Sequence, residues 1–179
     1  MKPFFDELYE KYHQDLFQYI IYMVKDRNLA EDLVQDVYIK TFKSYDTFDG
    51  RSSEKTWLFS IARHVTIDYF RKQNRKRKRV MDFFDWGEKG EEIKDKSPMP
   101  EEIAVLNDEM QAVYRALDEC TVDQSSVIIL RFIQNMSIQE TAEVLGFSES
   151  KVKTTQHRAM KALKKNLEDQ DEGGVQREA

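Results

Sequence analysis

The segment SIQETAEVLGFSESKVKTTQHRAMKALKKNL, residues 137–167, sets the reading of the whole chain. Ser137 with Glu140 three residues later is a capping box that opens a short helix predicted over 138–145; Gly146 ends it. Ser148 caps a second helix predicted to run to about Leu167. Two helices joined by the tight turn Gly146-Phe147-Ser148 have helix-turn-helix dimensions. With Val152 pointing inward, steps of about 100° per residue bring Thr155, Gln156, Ala159 and Leu163 to within about 60° of it. Ser150, Lys153, Thr154, His157, Arg158 and Lys161 then face outward.

That outward face joins long cations, suited to phosphates or guanine, with short polar groups that tolerate base edges or backbone. A solvated basic face on a terminal helix is the competing reading. Lys164 and Lys165 fit the favourable placement of cations near a helix C-terminus.

Upstream of this unit the same helical period recurs. Residues 4–24 carry Phe5, Leu8, Tyr9, Tyr12, Leu16, Tyr19, Ile20 and Met23 at three- and four-residue steps, one buried stripe. Asn28 with Glu31 predicts the start of a second helix whose inward stripe is Leu29, Leu33, Val34, Val37 and Phe42. Residues 45–53 read as a loop. A third helix follows, capped by Ser52 or Ser53 and running to about Arg79, packed in its first half by Trp57, Leu58, Ile61, Ala62, Val65 and Ile67. Further on, residues 103–117 are expected to form one helix, and Asp123 is expected to cap another through Val127, Leu130, Phe132 and Ile133.

Six glycines and three prolines in 179 residues leave little punctuation for a β fold. The predicted class is all-α: two small helical domains joined by an acidic linker. The expected division is residues 1–80, a linker at 81–100 where periodicity fails, a second domain at 101–167 and a frayed tail at 168–179. Twenty linker residues reach at most about 66–72 Å.

The net charge of −5 is unevenly spread. Residues 51–80 carry +8 and residues 148–167 carry +5, whereas 1–50, 81–102, 103–147 and 168–179 are each net negative at −4 or −5. Two local phosphate-binding surfaces fit that pattern better than a general polyanion coat. The run from Arg71 to Arg79 holds seven cations in nine residues. Such runs also occur as localisation signals, RNA patches or plain solvated helix ends. Tyr45, Phe48, Trp57, Phe59, Tyr69 and Phe70 lie just upstream, and aromatics beside a basic track suit single-stranded nucleic acid. Trp57 and Phe70 read as core packing; the loop residues Tyr45 and Phe48 are better candidates for exposure.

No catalytic set emerges. Cys120 and the separated His13, His64 and His157 show neither metal-ligand spacing nor a nucleophile with its base, so no metal, cofactor or small-molecule substrate is expected. One cysteine suits a reducing cytoplasm. No stretch approaches the roughly 20 apolar residues of a membrane span, and charges every few residues replace the apolar core of a signal peptide. The exposed side of the second helix, Glu31, Asp32, Gln35 and Asp36, is by default a solvated face, with docking of a basic protein as the alternative.

Taken in order, AEDLVQDVYIKTFKSYDTFDG, TWLFSIARHVTIDYFRKQ, an acidic linker and the unit at residues 137–165 resemble an extracytoplasmic-function sigma factor of bacterial RNA polymerase. The resemblance covers about residues 4–167. It implies a sigma-2 domain that docks on core polymerase and reads the −10 element, and a sigma-4 helix-turn-helix domain that reads the −35 element. By the same resemblance Glu31, Asp32, Gln35, Asp36 and Ile39 meet the clamp coiled coil of the β′ subunit. Tyr45, Phe48, Arg51, Ser52, Arg63, His64, Arg71 and Lys72 meet the melted non-template −10 strand, where a base is flipped out. Ser150, Lys151, Lys153, Thr154, His157, Arg158 and Lys161 meet the duplex −35 element. The implied partners are core RNA polymerase (β′ clamp and β flap), promoter DNA and an anti-sigma factor, often a membrane protein that holds the cytoplasmic chain at the membrane. The implied regulon is one of envelope or stress genes. There are two departures from the family pattern: His64 replaces the usual asparagine, and Ser148-Glu149-Ser150 replaces Pro-x-Gly. A stand-alone helix-turn-helix regulator predicts tight duplex binding without polymerase. An RNA-binding adaptor using the 71–79 track predicts affinity that survives loss of 101–167.

Overall fold

The computed structural model describes residues 2–83 and 99–175, and every regular element among them is helical. The first module consists of α1 (Lys2–Val24), α2 (Arg27–Ser44) and α3 (Glu54–Phe83), with a single 3-10 turn at Tyr45–Thr47. The second consists of α4 (Glu101–Ala104), α5 (Asp108–Ala116), α6 (Val122–Ile128), α7 (Ile138–Leu145) and α8 (Glu149–Val175). The core of the first module is built where the predicted stripes converge: Leu8, Leu16, Tyr19 and Ile20 of α1, Ala30, Leu33, Val34 and Val37 of α2, and Leu58, Phe59, Ala62 and Val65 of α3 are buried.

Two stripe residues lie elsewhere. Tyr9 and Phe42 are 50% and 58% exposed. On α2 the buried series ends on Thr41, which continues the three- and four-residue steps of Leu33, Val34 and Val37; its hydroxyl donates to the Val37 carbonyl at 2.7 Å and so enters the core satisfied. Burial on α1 is broader than one stripe near its end: Tyr19 to Met23 are all buried, since the second module covers the far side and Tyr22 meets Tyr114 at 5.5 Å between ring centroids.

Several helix starts differ from expectation. Asp26, not Asn28, caps α2, accepting from the Leu29 N–H at 2.9 Å, directly after Lys25 at φ 60°. The predicted single helix over 103–117 is broken by Asn107, which caps α5 by accepting from the Met110 N–H at 2.9 Å. Thr121, not Asp123, caps α6, in a reciprocal capping box with Gln124. That helix widens into a π turn at Ile129–Ile133, where the Gln134 N–H donates to the Ile129 carbonyl at 2.9 Å. Ser53 caps α3, accepting from the Thr56 N–H at 3.1 Å. The helix runs past Arg79 to Phe83, so residues 81–83 of the expected linker are helical; residues 84–98 lie outside the described residues. α8 continues to Val175, through most of the segment expected to fray, and residues 176–179 lie outside the described residues.

The α1–α2 contact contains a titratable group. His13 Nδ1 lies 3.1 Å from the Tyr38 hydroxyl, and its ring stacks on Tyr9 at 4.2 Å between centroids. Burial lowers the His13 pKa from its ordinary value of 6.5. The unfolded chain therefore binds the proton first on acidification, so the stability this packing contributes is full above pH 6.5 and is lost as pH falls through the lower folded value. Melting temperature is expected to fall between pH 7 and 5, and His13→Gln is expected to flatten part of that slope. Identical slopes would exclude the role.

Candidate nucleic-acid and polymerase interfaces

The helix-turn-helix forms at the predicted residues, with one half of the expected Ser137–Glu140 capping box in place. The Ser137 hydroxyl accepts from the Glu140 N–H at 3.0 Å, Gly146 takes the left-handed conformation at φ 68°, and the Ser148 hydroxyl accepts from the Lys151 N–H at 3.1 Å. Only glycine adopts that conformation without strain, so the tight turn needs it. Val152, Ala159 and Leu163 are buried, with Thr155 and Gln156 at the boundary. Ser150, Lys151, Lys153, Thr154, His157, Arg158 and Lys161 are all exposed. Lys151 lies over the Phe147 ring at 3.8 Å, which fixes that cation beside the turn. Arg131 braces the helix from behind, donating to Gln156 Oε1 at 3.0 Å.

On α2 the residues Glu31, Asp32, Gln35, Asp36 and Ile39 fall on one exposed face. Glu31 pairs with Arg27 at 3.3 Å, whereas Asp32 and Asp36 have no ion-pair partner among the described residues. The face is a carboxylate ridge that ends on an exposed apolar residue, Ile39.

The loop and α3 are less uniform. Arg51, His64, Arg71 and Lys72 are exposed and Ser52 is half-buried. Arg51 pairs with Asp49 at 3.1 Å. Neither loop aromatic stands free: Tyr45 packs on Phe4 at 4.8 Å, and Phe48 on Trp57 at 4.6 Å, between centroids. Arg63 departs furthest from expectation. It is only 8% exposed, and its guanidinium is turned into the second module, 2.8 Å from Asp123 and 2.7 Å from the Ser126 hydroxyl. Asp123 thus serves as the partner of Arg63 rather than as a helix cap.

Residues 8–76 match the Sigma-70 region 2 family and residues 110–163 match Sigma-70 region 4. The chain is 58% identical over 168 residues to the ECF RNA polymerase sigma factor SigX of Bacillus subtilis, spanning 94% of this chain and 86% of that protein. The chain belongs to the extracytoplasmic-function sigma factors. The RNA polymerase sigma factor YlaC of B. subtilis is 34% identical, spanning 90% of this sigma factor and 91% of that protein. Among solved structures, the sigma factor RpoE in complex with the anti-sigma factor NepR from Bartonella quintana superposes with a TM-score of 0.72 at 29% identity, covering 94% of this chain and 98% of that one. CnrH, solved with the cytosolic domain of CnrY, shares the fold at a TM-score of 0.67 and 23% identity, over 94% of this chain and 90% of that one. The sigma factor is thereby a promoter-specificity subunit of RNA polymerase, in a class of initiation factors that carry no catalytic chemistry of their own.

One feature of its surface escaped the sequence. A groove of about 430 Å³ between α1 and α2 is lined by Phe5, Tyr9, Tyr38, Ile39 and Phe42, directly beside the acidic ridge. At about 100° per residue Phe42 falls roughly 150° from the middle of the stripe made by Leu29, Leu33, Val34 and Val37, so helical period itself points it outward, whereas Tyr9 lies well within its stripe and carries no such signal. Among the described residues of the sigma factor, no group of three or more histidine, cysteine or carboxylate side chains is arranged to hold a metal ion, and no helix is long and apolar enough to cross a membrane.

Proposed function

We propose that this sigma factor docks on the β′ clamp of core polymerase through the α2 ridge of Glu31, Asp32, Gln35, Asp36 and Ile39, with its second module at the β flap. The exposed cations and polar residues of α8 read the duplex −35 element. The 45–53 loop and the exposed edge of α3, His64, Arg71 and Lys72, follow the non-template strand of the melted −10 element. Residues 1–80, 101–167 and the tether between them divide these tasks. The observation that supports this most directly is the segregation on α8, where seven candidate DNA residues are exposed and the inward residues form the core. Unstacking a base costs a few kcal/mol, so opening the −10 region draws on the binding energy of polymerase.

The sigma factor works in the cytoplasm under an anti-sigma factor, the kind of partner with which RpoE of Bartonella quintana is complexed, and serves envelope or stress genes. Transcription from genomic fragments by purified core polymerase is the test: promoter-dependent transcripts are expected only when both proteins are present. Arg158→Ala is expected to weaken use of the best promoter by about 5- to 100-fold, the loss of one specific contact of about 1–3 kcal/mol. Tight, selective duplex binding by the sigma factor alone would favour the stand-alone regulator instead.

A further inference from the structure

The first turns of α1 carry two neighbouring phenylalanines, Phe4 and Phe5, both half-buried. Adjacent residues of a helix point about 100° apart, so one stripe does not account for both. The two rings converge instead on a third from elsewhere in the chain. Phe4 meets Tyr45 edge-on at 4.8 Å between centroids, and Phe5 meets the same ring at 5.8 Å. The phenylalanines themselves lie 5.6 Å apart at 83°, and Phe5 also packs on Phe42 of α2 at 5.3 Å. Edge-on and tilted contacts are the arrangements aromatic rings prefer, so the cluster favours one geometry over its neighbours. Tyr45 is where α2 ends and the 45–53 loop begins. Its N–H donates to the Phe42 carbonyl, and its own carbonyl accepts from the Phe48 N–H at 3.1 Å.

The loop is thus pinned twice, by α1 at Tyr45 and by α3 at Phe48, whose ring packs on Trp57 at 4.6 Å. Beyond Phe48 the exposed tip bonds to itself. Gly50 turns the chain at φ 76°, the Arg51 N–H donates to Asp49 Oδ1 at 3.0 Å, and the Arg51 guanidinium pairs with the same carboxylate at 3.1 Å. The direction of the tip is therefore inherited from the two pins. We propose that Phe4 and Phe5 are positioning residues for −10 recognition: by holding Tyr45 from both sides they aim the loop at the non-template strand. The inference rests on the reading of that loop as part of the −10 surface. Both phenylalanines lie ahead of residues 8–76, the span that matches Sigma-70 region 2, so the pin is built from chain outside that match. A loop free to swing presents its reading geometry only part of the time, and its apparent affinity falls by that fraction.

The test makes two measurements on the full chain. In the first, Cys120→Ser with Asp46→Cys places a nitroxide on the exposed residue next to Tyr45, and the paramagnetic resonance line shape is recorded without polymerase. In the second, holoenzyme is titrated with two probes cut from the strongest promoter recovered by transcription of genomic fragments: a fork junction that exposes the −10 non-template strand, and a duplex with the −35 element alone. Phe4→Ala is expected to mobilise the label and to weaken fork-junction binding about tenfold, as for a loop aimed correctly about a tenth of the time. The −35 duplex and assembly with core polymerase should be unaffected. Phe4→Tyr, which keeps a ring, is expected to restore both measures. Leu8→Ala removes a fully buried side chain one turn further along α1, outside the aromatic pin, and is expected to lower the melting temperature more than Phe4→Ala does without weakening the fork junction. A label that Phe4→Ala leaves unmoved, or one that is mobilised while fork-junction binding holds, overturns the inference. An equal loss in Leu8→Ala overturns it too, because the effect would then be one of stability alone. A mobilised label together with a wild-type holoenzyme that selects no promoter upholds the pin and sinks the promoter reading instead.

Discussion

Reversing both unpaired carboxylates of the α2 ridge, Asp32→Arg with Asp36→Arg, is expected to weaken association with core polymerase by at least about a hundredfold. Close charge pairs across protein interfaces couple by about 1.5–7 kcal/mol, and reversal replaces attraction with repulsion. Neither residue belongs to the buried stripe of Ala30, Leu33, Val34 and Val37 or to an ion pair between the modules. Helix content and melting temperature should therefore hold. Fluorescence anisotropy of labelled sigma factor titrated with core polymerase reads the effect, and Glu140→Arg with Glu143→Arg, two reversals at exposed positions of α7, serves as the control of equal charge change. Undiminished affinity in the double variant would remove α2 from the docking surface.

The second large effect is structural. Phe59→Ala is expected to cost about 3–5 kcal/mol, the range for a buried aromatic truncated in a packed core. The Phe59 ring is fully buried on α3, 5.5 Å from Tyr19 of α1 between centroids. Tyr19 in turn carries a hydroxyl whose pKa burial raises and the nearby Arg63 charge partly lowers. At about 2–4 °C per kcal/mol for a chain of this size, melting should drop by roughly 6–20 °C. Calorimetry at fixed protein concentration would show it, and a drop below 2 °C would mean that the α1–α3 contact contributes little to stability. Both variants act on the first module, yet only the second should unfold it.

How much was legible follows from what each feature depends on. The helix-turn-helix is specified by residues within a few positions of one another, Ser137 with Glu140, Gly146 and Ser148, so its boundaries at 138–145 were fixed by local chemistry alone. Caps were less so, because Asp26 and Asn28, or Thr121 and Asp123, are equally able acceptors; which one caps depends on the preceding backbone, here a Lys25 at φ 60°. Tyr9 was misplaced because helical period fixes a direction but not how wide a neighbouring helix is; Phe42 was misplaced against the period, which puts Thr41 on the buried face instead. The fate of Arg63 was the least legible. Its partners are 60 and 63 residues away in a separate module, and no periodicity within α3 can announce them. The acidic balance of residues 103–147, read as background, supplies the carboxylate that meets this cation.

The final helix carries a consequence of its own length. At about 1.5 Å per residue, the 27 residues of α8 form a rod of roughly 40 Å. Its near end bears Lys151, Lys153, Arg158, Lys161, Lys164 and Lys165, while Glu168, Asp169, Asp171 and Glu172 crowd the far end. A double helix drawn to the first stretch meets like charge as soon as it slides along toward the second. On the proposed reading of α8 as the −35 helix, that repulsion limits how far along the rod a duplex sits, at residues that touch no base.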